Sequence, residues 1–201
     1  MEYAVNDMGH GKDIAALYLT SPSLPVPTPG GNQTIRVQSV TFQMRGADQG
    51  WVSLGGEGTY HNSHTWYAAS ILRPIAGVAT TTTAHEQPLE ALVLERKPRV
   101  SSFQKVLRKH GWELVKYKDR LSWRVHNNIT AREAYTYYRA SWAAGTPIKV
   151  SNPRAMGDGA GFVETLKGGD RIALWARANS GGWINKISEA TIDLLPGDRR
   201  S

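Results

Sequence analysis

Short segments in which apolar and polar side chains alternate limit the fold of this chain more than any other feature. One runs from residue 34 to 44, and seven more follow between turns rich in Gly and Asp, at 60–72, 90–96, 112–117, 121–126, 135–142, 171–178 and 187–195. A period of two is typical of β-strands, and the segments do not alternate with helices as they do in βαβ proteins. We therefore predict an all-β fold, an antiparallel two-sheet β-sandwich of jelly-roll type.

Two local features are expected within the sandwich. Residues 102–110 predict one short helix, with Ser102 as its N-cap and Gly111 just after its end. The segments 112–117 and 121–126 are separated by a three-residue turn and are expected to pair as a hairpin.

A proline-rich segment divides the N-terminal part of the chain from the rest. Four prolines lie between Pro22 and Pro29, and each fixes φ and lacks an N–H donor. We therefore predict an extended N-terminal arm and linker at 1–33, the sandwich at 34–196 and a C-terminal tail at 197–201. The apolar stretch at 14–19 fits either a short helix or an added edge strand. The sandwich is expected to fold without the arm.

Cysteine is absent from the 201 residues. This excludes a disulfide framework, thiolate metal sites and a cysteine nucleophile. The first residues do not form an apolar signal-peptide core, and no later stretch approaches 18 apolar residues. We expect a cytoplasmic protein that does not associate with membranes.

Positive charge is concentrated in the middle of the chain. Residues 96–139 hold twelve basic and three acidic side chains, a net charge of +9, whereas the whole chain carries +7. Trp112, Tyr117 and Trp123 are interleaved with these charges. Lys and Arg bind phosphates and aromatic rings stack on bases, so nucleic-acid binding is one alternative function. The sequence has no nucleic-acid-binding signature, and a solvated face with inward aromatics gives the same pattern.

A small group of histidines is the basis of a second alternative. Glu57, His61, His64 and His85 are metal-ligand types, so an enzyme, with or without a metal, would use the His61/His64 region. The two histidines are three residues apart, which places them on opposite faces of a strand unless the chain turns. We expect no metal and no cofactor.

Aromatic and polar residues recur together near predicted strand ends. A sugar site needs an aromatic face for the ring and polar groups for its hydroxyls. The residues of this kind include Trp51, Trp66, His126, Asn127, Asn128, Arg177 and Trp183. Trp51 and Trp183 each follow a glycine, and we expect both to be exposed.

Several motifs resemble a widespread fungal β-rich accessory domain over residues 35–195. They are DQGW (48–51), GTY (58–60), TWY (65–67), WRVHNN (123–128), GGDRIALWARA (168–178) and GWIN (182–185). The final strands are more distantly similar to galactose-binding-like jelly rolls, including F-box-associated sugar-recognition domains. The resemblance implies glycan or protein recognition and adds Asp48, Tyr60 and His64 to the candidate ligand-binding residues, with His64 at a position where a small residue is expected.

Together these observations favour a non-catalytic, lectin-like recognition module. It is predicted to bind carbohydrate or a protein partner through aromatic and polar residues at its loop ends. The two alternatives are an enzyme using the His61/His64 region and a nucleic-acid-binding protein using residues 96–139.

Overall fold

The protein is built mainly from β-strands. A computed structural model describes residues 3–6, 13–26, 36–76, 89–145, 148–179 and 182–197. Among the described residues, strand residues (44%) outnumber helical residues (10%), and the strands form two antiparallel sheets. The predicted all-β two-sheet sandwich is thus confirmed.

The two sheets differ in size. Sheet A has the order β1-β10-β3-β8, formed by Tyr3–Asn6, Ile184–Pro196, Val37–Ala47 and Thr136–Ala143. Sheet B has the order β5-β2-β9-β4-β6, formed by Arg96–Lys97, Ile14–Thr20, Arg171–Ala178, Thr65–Pro74 and Trp112–Leu114. Its sixth strand, β7 (Trp123–Asn127), also pairs with β4.

A core rich in aromatic residues fills the space between the sheets. Phe42 of β3 contacts Trp142 of β8 with ring centroids 4.9 Å apart, and both rings pack on Phe162. Phe162 begins the short helix α2 (Phe162–Thr165) and also meets Trp123 of β7 edge to face at 5.0 Å. Edge-to-face pairs of this kind stabilise a core beyond their buried area.

The outer face of sheet B is buried as well. A 3-10 helix (Val100–Phe103) and helix α1 (Gln104–Lys109) lie on it, and Phe103 packs on Trp175 of β9 with centroids 4.7 Å apart. Since both faces of the sheet are covered, β4 and β9 are buried almost throughout. Strands buried on both faces lose the clean alternation of apolar and polar residues.

The predicted helix is present, but its start differs. Ser102 lies within the 3-10 helix, and the residue preceding α1 is Phe103, which makes no side-chain cap. The predicted strand at 90–96 is reduced to β5, because the chain turns at 91–94. No helix within the described residues is long and apolar enough to cross a membrane.

Two described parts of the N-terminal segment, Tyr3–Asn6 and Ile14–Thr20, are strands of the sandwich, whereas residues 1–33 were predicted to form an extended arm and linker. Strand β1 pairs with β10, and β2 lies between β5 and β9 with Ala15, Ala16 and Leu17 fully buried. The prolines do not prevent the β2 ladder, because they all follow Thr20. Pro27 and Pro29 belong to residues 27–35, which lie outside the described part of the chain. Residues 21–26 have no regular secondary structure, yet Leu24 is buried and its N–H donates to the carbonyl of Asp170 at 2.8 Å.

The predicted hairpin of 112–117 with 121–126 is wrong. Strands β6 and β7 do not pair with each other, because β4 is long enough to pair with both, β6 at Leu72–Pro74 and β7 at residues 66–69. Only Tyr117 and Arg120 exchange backbone hydrogen bonds across the intervening turn, at 3.0 and 3.1 Å.

Candidate recognition site

The ten predicted site residues lie at one end of the sandwich. The end of β3, the start of β4, the ends of β7 and β9 and the start of β10 meet there, as the pairs Thr65↔Ala178, Trp66↔Asn127 and Lys186↔Ala47 show. The segments predicted to form the site are therefore the ones that come together. Their side chains, however, have different environments, and most of them are not available to a ligand.

Loop 48–64, which joins β3 to β4, is anchored by the carboxylate of Asp48. This side chain is fully buried, and its two oxygens accept hydrogen bonds from the backbone N–H of Gln49 (2.7 Å) and of Ala131 (3.0 Å). Burial raises the pKa of Asp48, and the two backbone hydrogen bonds oppose that shift. Asp48 thus holds two loops together rather than facing solvent.

Two amide side chains fix the backbone of the same loop. Gln49 donates Nε2 to the carbonyl of Trp51 at 2.9 Å, and its Oε1 accepts from the N–H of Ile184 at 3.1 Å. Asn62 donates Nδ2 to the carbonyls of Leu54 and Gly55 at 3.1 and 3.2 Å. The loop has no regular secondary structure, but side chains hold its peptide groups in place.

Glycine is required at the bends of this loop. Gly50 has φ +97°, and a Cβ there would lie 2.9 Å from Cβ of Glu133. Gly56 has φ +99°, and a Cβ there would lie 2.4 Å from the carbonyl oxygen of His61. Both positions combine a left-handed backbone with a close approach, so a larger residue would strain the loop.

Two large apolar side chains project from the loop into solvent. Trp51 is 60% exposed, as predicted, and Leu54 is 77% exposed. Leu54 is not among the site residues that were predicted from the sequence. The signal that predicts its exposure is local, because a lone leucine between Ser53 and the glycine pair 55–56 has no strand in which to be buried.

A network of buried amides lies beneath the loop. Asn128 and Asn185 are both fully buried. Asn128 donates Nδ2 to Oδ1 of Asn185 (2.9 Å), to Oγ1 of Thr65 (3.0 Å) and to the carbonyl of Ala47 (3.2 Å). Asn185, which the sequence analysis missed, joins β10 to β4 and β9. These groups serve the fold, because their donors are already bound to protein atoms.

Trp183 is the clearest correction among the predicted site residues. It was expected to be exposed beside Gly182, but it is only 9% exposed. Its indole packs on the imidazole of His64, with ring centroids 4.6 Å apart. The indole is therefore not the open stacking surface that was predicted.

Trp66 also lacks an exposed face for a ligand. It is 7% exposed, and the guanidinium groups of Arg124 and Arg177 lie 4.9 and 4.8 Å from its ring, one from each neighbouring strand. Arg177 forms an ion pair with Asp13, and burial lowers its pKa to about 10. Asn127 is buried and accepts a hydrogen bond from Arg124 at 3.1 Å. The two arginines act as cation–π partners of the indole.

His126 and Tyr60 form a second aromatic contact. The imidazole lies between Tyr60 and Tyr138, at centroid distances of 5.6 and 4.7 Å. Its Nδ1 is 2.7 Å from the carbonyl oxygen of Asn127. Burial lowers the pKa of His126, and the backbone hydrogen bond partly offsets this shift.

The histidine group and the basic segment are the two alternative sites. In the histidine group, Glu57 and His61 are exposed, and His85 lies outside the described residues. The described residues contain no group of three or more His, Cys, Asp or Glu side chains able to hold a metal ion. In the basic segment, Trp112 and Trp123 are 5% and 1% exposed, so these two rings are not free to stack on bases.

Comparison with known proteins gives no assignment. The chain matches no family model, no curated protein and no solved structure.

Proposed function

We propose that the protein is a non-catalytic recognition module that binds a partner protein through loop 48–64. The observation that carries this proposal is the exposure of Trp51 and Leu54 on a backbone whose carbonyls at those two residues are bound by Gln49 and Asn62. Folding leaves these apolar side chains in water, so their burial is still available to drive binding.

The chemistry around Trp51 favours protein over carbohydrate at this loop. Sugar hydroxyls need polar side chains beside the stacking ring. Of the predicted polar site residues, Asp48 and Asn128 are fully buried and bonded to backbone groups, and the predicted stacking ring of Trp183 is only 9% exposed and packs on His64. An exposed tryptophan and leucine on a preorganised loop suit an apolar pocket on another protein. Preorganisation also lowers the entropy lost on binding.

The partner is identified by photo-crosslinking in the cells that make the protein. A photoreactive phenylalanine analogue replaces Trp51, Leu54 or, as a control, Leu195, which is 54% exposed on β10 and outside the loop. We expect the same protein to be crosslinked from positions 51 and 54 and not from 195. Equal crosslinking from all three positions would contradict the proposal.

Affinity is then measured with the purified partner. Trp51→Ala is expected to weaken binding by roughly 1–3 kcal/mol, which is the scale of a hot-spot truncation, and Leu54→Ala by less. Leu195→Ala should have no effect, and all three variants should keep the wild-type melting temperature, because each removes an exposed side chain. Affinity unchanged within about twofold in Trp51→Ala would refute the role of the loop.

A further inference from the structure

The outer face of sheet A carries three rows of polar side chains across strands β10, β3 and β8. Alternate residues of each strand point to this face, while Phe42, Met44 and Tyr138 point into the core. The register of the pairs aligns the outward residues as Glu189–Arg45–Tyr137, Thr191–Gln43–Arg139 and Asp193–Thr41–Ser141. Residues directly opposite each other on one face are close enough to interact.

Hydrogen bonds within and between the rows hold these side chains in place. Gln43 donates Nε2 to Oδ2 of Asp193 at 3.0 Å, and Thr191 donates to the same oxygen at 3.1 Å. The hydroxyls of Thr41 and Ser141 are 2.9 Å apart. The polar groups are therefore preorganised although most of them are exposed to solvent.

The first and second rows border a shallow cleft that has an aromatic side chain, Tyr137, in its lining. The cleft has a volume of about 330 Å³ and is lined by Gln43, Met44, Arg45, Tyr137, Glu189, Ala190 and Thr191. Tyr137 is 73% exposed, and the Arg45 guanidinium lies 5.7 Å from its ring centroid. Glu189 lies in the same row as Tyr137, on the other side of Arg45, and its carboxylate raises the pKa of the Tyr137 hydroxyl. The volume is within the range of small-molecule sites.

The charges of this face cancel. Arg45 and Arg139 are matched by Glu189 and Asp193, which lie in the same rows or the next one. A phosphate or sulfate group would be attracted by the arginines but repelled by the carboxylates. An uncharged ligand with many hydroxyls complements such a surface, because amide, hydroxyl, carboxylate and guanidinium groups supply both donors and acceptors.

We propose that the cleft at Tyr137 binds a neutral saccharide. The phenol ring of Tyr137 packs on the apolar face of one sugar ring, and Gln43, Glu189 and Thr191 bind its hydroxyls. This site is on the outer face of sheet A and does not include loop 48–64, so it stands whether or not that loop binds a protein.

The test is calorimetric titration of the full chain with neutral hexasaccharides of glucose, mannose, galactose and xylose, each at up to about 10 mM. We expect at least one of them to bind. Tyr137→Ala should weaken that binding by at least about tenfold, and Gln43→Ala should also weaken it. Tyr137→Phe, which keeps the ring and loses only the hydroxyl, should stay within about threefold of the wild type.

Two controls distinguish binding in this cleft from binding elsewhere on the protein and from loss of the fold. Trp51→Ala should leave saccharide binding unchanged, and all the variants should melt at the wild-type temperature because the replaced side chains are exposed. The proposal is overturned if no hexasaccharide binds, if Tyr137→Ala binds as well as the wild type, or if a sulfated hexasaccharide binds more tightly than every neutral one.

Discussion

Replacing Asn185 with alanine tests whether the buried amide network holds the end of the sandwich together. Asn185 makes three hydrogen bonds. Its Nδ2 donates to the carbonyls of Trp66 (2.9 Å) and Arg177 (3.0 Å), and its Oδ1 accepts from Nδ2 of Asn128 (2.9 Å). Because the side chain is fully buried, water cannot reach the groups that alanine leaves behind unless the site opens.

The expected cost follows from these three bonds. A typical net contribution is about 0.5–1.5 kcal/mol for each, so their loss amounts to roughly 1.5–4.5 kcal/mol. The partners of Asn185 stay buried without a hydrogen bond in the variant, which moves the loss of stability toward the upper end of that range. Alanine loses less side-chain entropy on folding than asparagine, which reduces the loss of stability slightly. We therefore expect a loss of about 3 kcal/mol in the free energy of unfolding, a large part of the stability of an ordinary domain.

Urea unfolding followed by tryptophan fluorescence measures this change as a shift of the midpoint at constant slope. The matched control is Asn179→Ala, since Asn179 is an exposed asparagine just after β9, and it should change stability by less than about 0.5 kcal/mol. A double-mutant cycle with Asn128→Ala isolates the bond between the two amides. A loss below about 1 kcal/mol in Asn185→Ala would refute the structural role of the network.

Two further predictions concern other parts of the fold. Deleting residues 1–20 should abolish cooperative unfolding, because β2 pairs along β9 and buries Ala15, Ala16 and Leu17; a truncated protein with one sharp melting transition would show that β2 is dispensable. Burial lowers the pKa of His126 in the folded state. The unfolded chain therefore binds the proton more readily than the folded one. We expect the free energy of unfolding to be highest above about pH 6.5 and to fall as the pH decreases below that value. Denaturant unfolding between about pH 7 and pH 5 should show a smaller decrease in His126→Phe, and an equal decrease in both proteins would exclude His126 as its source.

The position and orientation of strands with one solvent-exposed face could be predicted from the sequence. In β8 the side chains of Tyr138, Ala140 and Trp142 point inward while Arg139 and Ser141 face solvent, so the alternation defined both the strand and its orientation. Alternation carries less information in sheet B, whose faces are both covered. Residues 89–109 cover the outer face of sheet B through contacts such as that of Phe103 with Trp175. No local sequence pattern indicates these contacts.

The candidate site shows the same limit in two tryptophans. Trp51 and Trp183 share the local pattern of a glycine followed by tryptophan at a turn, and the sequence predicts the same exposure for both. One is 60% exposed and the other 9%, and the second indole packs on His64, which comes from a distant part of the chain. A local pattern predicts the bend of the backbone, but the contact that buries a side chain depends on the tertiary fold.

The position of β9 and β10 in the sheets determines when this protein can fold during its synthesis. Strand β9 lies between β2 and β4, and β10 lies between β1 and β3, so the two described strands that are synthesised after all the others occupy interior places in the two sheets. Until then β2, β3 and β4 lack these neighbours, and unpaired strand edges promote aggregation. Pairs such as Leu17 with Trp175 and Phe42 with Ile192 also join residues far apart in sequence, which slows folding. Strands β2, β3 and β4 therefore each keep an unpaired edge until β9 and β10 have been synthesised.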